Sequence, residues 1–296
     1  MSAALVPLTV ALLVFGSTVR ANGAGLACPD WPLCFGQVLP VLDFGVFLEF
    51  GHRVLASFVS LWYVMIGVFA WRWGMPANVK RVWLFGLAVL GVQVVLGGMT
   101  VLHLLAEWTV TSHLLCGNAF SLVLFVLTAS IYEVDSPIER APIQPAQRAA
   151  AGLLAVAVLA QLTLGGLVSS SMAGLACGTW PSCNGAGWFP TFQGLVGLQV
   201  MHRIVAYTVG AAALTALLST MGRGRTGKAS MLVFGLVVAQ IALGIANVLM
   251  LIPVEVTVMH AAGAAGIVLA ATWLNLEVWK SPLHASAPAA TMEPVR

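Results

Sequence analysis

The sequence predicts an all-α integral membrane protein of eight transmembrane helices. They form two tandem four-helix bundles related by a pseudo-two-fold axis along the membrane normal. Three observations carry this reading. Of 296 residues, 60% are hydrophobic and 8% are charged, whereas a soluble domain of this size carries roughly a quarter charged residues. The apolar residues fall into nearly charge-free stretches of about 20, the length that spans a bilayer. The segment GLACPDWPLC, which begins at Gly25, returns as GLACGTWPSC at Gly174 with seven of ten positions identical, the mark of an internal duplication. The net charge of +3 is small and spread over loops, so it bears on topology and gives no sign of a nucleic-acid partner.

The candidate spans run over 3–20, 49–71, 82–103, 108–131, 148–171, 199–219, 229–250 and 256–279, each bounded by charge, Pro or Gly. The first ends near VRA, like a signal peptide, but has no basic start. It matches the fifth through Gly16 and Gly165, Val19 and Val168, and the GLAC that follows, so it is read as a helix of the repeat. The connections after spans two, four and six hold Arg72, Lys80, Arg81, Arg140, Arg148, Arg223, Arg225 and Lys228. Those connections face the cytoplasm by the positive-inside rule. The opposite loops have no Lys or Arg, so both Cys loops lie outside a multi-pass cytoplasmic membrane protein.

The duplication divides the chain into an N-terminal half, residues 1–140, and a C-terminal half, residues 146–280. Residues 281–296, rich in Ala and Pro, read as a disordered cytoplasmic tail. The apolar linkers 40–47 and 189–196 are expected to lie on the outer membrane surface as short helices.

Four of the six histidines, His52, His113, His202 and His260, lie about one turn inside even-numbered spans, always near the outer end. An ionisable residue inside a span marks a functional site by default. A single intramembrane His is equally well read as a hydrogen-bonded packing residue, but four at equivalent depth in a duplicated frame are not. Two imidazoles from facing helices suit the axial ligation of a haem inside a four-helix bundle. Zinc or copper would want a third or fourth ligand. Glu49 or Cys116 could supply one in the first half, but Gln199 and its apolar neighbours cannot in the second. Two haem sites follow. Arg53 and Arg203, each beside its His, suit haem propionates, with snorkelling toward the head groups as the plain alternative.

Glu49-x-x-His52-Arg53, His113, Gln199-x-x-His202-Arg203, His260, two Cys-x5-Cys loops and the duplicated four-helix layout together resemble the haem A synthases of the cytochrome oxidase pathway. Within them the chain resembles the group with a Cys pair in each half. The resemblance covers all but the tail. It implies that haem O is converted to haem A by oxidising a ring methyl to a formyl group. It implies a resident haem b in the C-terminal half, ligated by His202 and His260 with Arg203, and a substrate haem flanked by His52, His113 and Arg53 in the N-terminal half. Glu49 would be the catalytic carboxylate. Three residues before an axial His, it shares that helix face, where it can exchange protons or stabilise a cationic intermediate; Gln199 can do neither. The plain alternative is an interfacial acid partnered with Arg53. Haem O, membrane lipid, haem O synthase and cytochrome oxidase assembly factors are the implied partners, with an electron acceptor that the sequence does not identify.

Outside the cytoplasm thiols are oxidised, so Cys28 with Cys34 and Cys177 with Cys183 are expected as disulfides. Structural staples are favoured over a redox pair, and the resemblance leaves a redox or haem-transfer role open for the N-terminal pair. Cys116 reads as helix packing. Gln93 with Gly97, Gln161 with Gly165 and Gln240 with Gly244 read as close helix contacts bridged by amides. Trp31, Trp108 and Trp180 read as an outer aromatic belt, and Glu107 and Glu255 as helix-start acids. His103 and His284 receive no role. Two rival functions stand beside the synthase: a dihaem b-type electron carrier, which would need both halves alike, and a membrane thiol oxidoreductase using the outer Cys pairs, which would leave the four histidines unexplained.

Overall fold

Apolar runs with so few charges must satisfy their backbone internally, which in lipid leaves helices or closed barrels. The computed structural model describes residues 2–283, and the helices it contains are α1 (Ser2–Ala21), α2 (Phe44–Arg72), α3 (Ala77–Leu102), α4 (Glu107–Asp135), α5 (Pro145–Ser170), α6 (Gly194–Thr220), α7 (Gly224–Leu249) and α8 (Val254–Lys280), with a 3-10 turn at Ala173–Leu175. Each of the eight is long and apolar enough to cross a membrane by length and composition. No strand is present among the described residues. The tail expected over 281–296 lies outside the described residues from position 284 on, His284 included.

Helices α2, α3, α6 and α7 begin at 44, 77, 194 and 224, five residues before the apolar spans predicted at 49, 82, 199 and 229. Hydropathy finds only the lipid-facing run, whereas a helix continues until something caps it. The Asp43 carboxylate accepts the Val46 N–H at 2.8 Å and begins α2. Gly194, at φ 62°, turns the chain into α6. The short surface helices expected at 40–47 and 189–196 do not form, because their last residues belong to α2 and α6 and the rest is non-helical.

Within the first half α1 packs on α2, α2 on α3, α3 on α4 and α4 back on α1, and α5 to α8 close the same ring. Thus α2 and α4 lie diagonally across one bundle, and α6 and α8 across the other. The halves meet through α4 with α5, α1 with α8 and α4 with α8, a set of contacts unchanged when the two groups of four helices are exchanged. Arg20 Nη2 donates to the Ser169 carbonyl at 2.9 Å and so ties α1 to the C-terminus of α5. At the opposite end Arg140 pairs with Glu133 of α4 at 2.6 Å and lies 3.3 Å from the buried Glu277 of α8.

The two large apolar cores share a location. One gathers Leu5, Val59, Tyr63, Trp83, Leu124 and Leu127, and the other Leu154, Val209, Val233, Val237, Leu274 and Val278. Both fill the bundle ends away from the Cys loops, leaving the ends beneath those loops to the polar side chains.

Positions 281–283, expected to be disordered, are ordered. The Ile143 N–H donates to the Pro282 carbonyl at 2.9 Å and Arg148 Nη2 to that of Ser281 at 2.6 Å, so the linker between halves pins the end of α8.

Candidate functional site

Each Cys loop is a small closed unit. Cys28 is disulfide-bonded to Cys34 and Cys177 to Cys183, all four sulfur-bearing residues are buried, and each loop contains a cis Trp-Pro bond. The tight α3–α4 and α7–α8 turns lie beside the loops. In them Leu104 and Leu105, and Leu251 and Ile252, hold positive φ between 49° and 62°, a conformation unfavourable for branched side chains. Gly25 and Gly174 make room for them, since an added Cβ would come within 3.4 Å of Leu105 and 2.6 Å of Ile252.

Arginine anchors each loop from below. Arg53 Nη1 donates to the carbonyls of Asp30 at 2.8 Å and Leu33 at 2.6 Å, and its Nη2 meets Glu49 Oε1 at 2.6 Å. Glu49, 5% exposed, also accepts the Cys28 N–H at 2.8 Å through Oε2. The carboxylate singled out in the sequence thus closes a charged clasp between α2 and the first loop, one turn from His52. In the second half Arg203 Nη2 donates to the carbonyls of Cys177 at 2.7 Å and Thr179 at 2.9 Å. Gln199 donates to the Gly174 carbonyl at 3.1 Å. Arg203 Nη1 is buried without a partner.

Below the loops stand the histidines. His52 and His202 come eight residues after the starts of α2 and α6, and His113 and His260 six after the starts of α4 and α8, about 12 and 9 Å deep at 1.5 Å per residue. They are therefore deeper than the one turn read from the sequence, because the helices start earlier. His52 lies within electrostatic reach of His113, and His202 of His260, so the diagonal helices of each ring present a pair of imidazoles. The Nδ1 atoms of His52, His113 and His260 are buried without partners, a state that is unfavourable unless something else satisfies the pair. Among the described residues no three His, Cys, Asp or Glu side chains form a metal-binding group. Two imidazoles per half on diagonal helices, three of the four with a buried unpartnered Nδ1, fit a bis-imidazole haem.

The structure shows what the Gln-x-x-x-Gly pattern does. The glycines do more than allow helices to approach, since each faces a histidine ring. A Cβ on Gly16 would lie 3.0 Å from His52 Cε1, on Gly97 3.1 Å from His113, on Gly165 3.2 Å from His202 and on Gly244 3.1 Å from His260. Gly16 belongs to this set although it has no Gln before it, and the signal that could have found it is its alignment with Gly165. Trp31 covers Gly98, where a Cβ would come within 2.9 Å of the indole, so the first loop lies over the His113 side of its bundle. Trp180 Nε1 donates to the Tyr207 hydroxyl at 3.1 Å. Cys116 packs its Sγ 3.5 Å from the Val89 carbonyl, as expected. His103 stacks edge-on with Trp108 at 5.3 Å, outside the site.

Comparison with known proteins gives one answer across most of the chain. The family model described as cytochrome oxidase assembly protein (COX15-CtaA) matches residues 2–272. A protein named heme A synthase from Shewanella oneidensis is 29% identical, with 92% of this chain and 93% of that protein aligned. Another from Methylobacterium sp. (strain 4-46) is 30% identical over 86% and 84% of the two chains. A third from Bradyrhizobium diazoefficiens is 29% identical over 96% and 91%.

Proposed function

The chain belongs to the cytochrome oxidase assembly (COX15-CtaA) family, and on that premise we propose that it is a haem A synthase, an oxidoreductase that converts a ring methyl of haem O to a formyl group. The observation that carries the reading is the pairing of four half-buried imidazoles, two per half, each facing a glycine, with a buried carboxylate beside only one pair. His202 and His260 would hold a resident haem b, and His52 and His113 would flank the substrate. When bound, haem b supplies a redox centre able to pass electrons onward to an acceptor in or beside the membrane.

Counted with water as the oxygen donor, each of two hydroxylations consumes one water and releases two electrons, to the membrane acceptor, and two protons. The resulting diol loses one water to leave the formyl group. Protons are thus released at each hydroxylation. Glu49, one helical turn from His52, would receive them. Arg53 and the Cys28 N–H hold its carboxylate in register. Gln199 at the matching position cannot take a proton. Arg203 Nη1, buried and unpartnered, is the donor we assign to a propionate of the resident haem, whereas Arg53 already holds an internal carboxylate.

The two halves are read as tandem copies about an axis along the membrane normal, since each contains an even number of helices and so returns to the side on which it began. With Lys and Arg concentrated at the end opposite the Cys loops, that end faces the cytoplasm and the loops face outward. Haem O, carrying an isoprenoid tail, enters sideways from the lipid. Haem O synthase is the class of neighbour that would supply it, and oxidase assembly factors the class that would receive the product.

Pigment extraction from the purified full-length protein tests the reading. Haem b with haem O or haem A is expected. His202→Ala or His260→Ala should remove the resident haem b, while His52→Ala or His113→Ala should keep it and stop conversion. Unmodified haem b alone in both halves would instead favour an electron carrier, and loss of the resident haem only in His52→Ala would reverse the halves.

A further inference from the structure

Building on the assignment of the resident haem to the second half, we propose that one position on the helix before each ligand decides which haem is kept and which is exchanged. Gln161 is the positioning residue that fixes His202, and Leu12 at the equivalent place leaves His52 free to release its ligand.

The frame is set by the four glycines that face the imidazoles. One turn before each glycine, on the same helix face, stand Gln93, Gln161 and Gln240 in three cases and Leu12 in the fourth. The three amides act differently. Gln161 Nε2 lies 3.2 Å from His202 Nδ1 and 3.3 Å from its Nε2. Gln93 Nε2 is 3.5 Å from His113 Nε2. Gln240 Nε2 donates to the His260 carbonyl at 2.7 Å and does not reach the ring. Among the described residues His202 is therefore the one ligand of the four whose Nδ1 is not left as a buried orphan.

The nitrogen and oxygen of an amide exchange by a simple flip, and Gln161 Oε1 is itself buried without a partner. Its amide now lies almost equally close to both ring nitrogens; with Oε1 turned to the ring and a small rotation of the imidazole toward it, Gln161 would accept the Nδ1–H and leave Nε2 for iron. A hydrogen bond of this kind fixes ring orientation and tautomer and raises ligand basicity. His52 has no such neighbour. On α1 it meets Gly16 and the edge of Phe15 at 6.0 Å between ring centroids, while Leu12, at the position equivalent to Gln161, packs into the apolar core of the first half. Leucine offers neither donor nor acceptor, so that imidazole is held by shape alone. The first half has only the longer approach of Gln93 to His113 at 3.5 Å, so neither of its imidazoles is held as closely as His202. A resident group wants the tighter arrangement, and a substrate that must arrive and leave wants the looser one.

The experiment follows haem loss from the full-length protein in nanodiscs to excess apomyoglobin, with the two phases assigned through His52→Ala and His202→Ala. Gln161→Leu should accelerate the slow phase by about 10- to 100-fold, the usual consequence of losing such a partner, and Gln161→Glu, which keeps an acceptor, should restore most of it. Leu12→Gln should slow the fast phase and shift its absorption toward that of the second site. Because leucine already occupies this position in the first half, Gln161→Leu asks nothing of the fold that the repeat does not tolerate. Should it fold poorly, Leu12→Gln tests the same claim alone. A slow phase indifferent to Gln161, or a fast phase indifferent to Leu12, overturns the inference and leaves the haem assignment standing. Phases that survive the loss of their own histidines would instead overturn the assignment beneath it.

Discussion

Both halves tie a disulfide loop to the helix below it with the arginine that follows a histidine, yet they complete the tie in opposite ways. In the first half Glu49 neutralises Arg53 at 2.6 Å and accepts the Cys28 N–H. In the second a neutral Gln199 bonds the Gly174 carbonyl, and Arg203 keeps a buried Nη1 with no partner. A buried guanidinium nitrogen without an acceptor is unfavourable. The second half thus leaves one guanidinium nitrogen free for the external carboxylate proposed above, while the first carries its own carboxylate. The same frame carries two different polar arrangements: a neutral amide below the second loop, and below the first a buried ionisable group one turn from His52.

The largest effect should come from making the halves alike. In Glu49→Gln the first loop keeps an amide anchor of the kind Gln199 already provides, so the fold should persist and the resident haem spectrum should stay unchanged. Conversion should fall by at least about 100-fold with the loss of a proton acceptor. Product analysis by chromatography checks it, and wild-type turnover would remove Glu49 from the chemistry.

A medium effect should come from filling the notches. In Gly165→Ala the new methyl, 3.2 Å from His202 Cε1, must push the ring, destabilising the bundle by about 1–3 kcal/mol and shifting the absorption of the resident haem. Gly16→Ala, at 3.0 Å from His52 Cε1, should leave that spectrum alone and lower conversion. Spectra of the two variants that changed together would show that the sites are not separable.

The smallest effect concerns pH at the loops. The Gly36 N–H above all, with those of Phe35 and Asp30 and the charge of Arg53, holds the exposed Asp30 carboxyl below its ordinary range. A carboxyl depressed in the folded state contributes stability above its unfolded value and loses it as pH falls through the folded one. Amide exchange at Phe35 and Gly36 should therefore rise, relative to Asn184, below about pH 4. Asn184 is held by the Thr179 hydroxyl at 2.8 Å, which does not titrate in this range. Asp30→Asn should abolish the difference between the loops.

Sequence alone determined the class, the eight spans, the Cys pairing and the four histidines. Run length and composition are local properties, and a disulfide across six residues is nearly one as well. The helix starts were legible only to within five residues, because hydropathy reports where lipid lies and capping reports where the helix begins. Tertiary structure decided the rest. That Arg53 would hold Asp30 and Leu33 carbonyls, that Gly16 would face His52, and that Gln161 would reach the His202 ring while Gln240 would not, all depend on how each helix is rotated about its axis. Helices that are apolar on nearly every side carry almost no amphipathic signal of that rotation, and only the closure of each four-helix ring sets it.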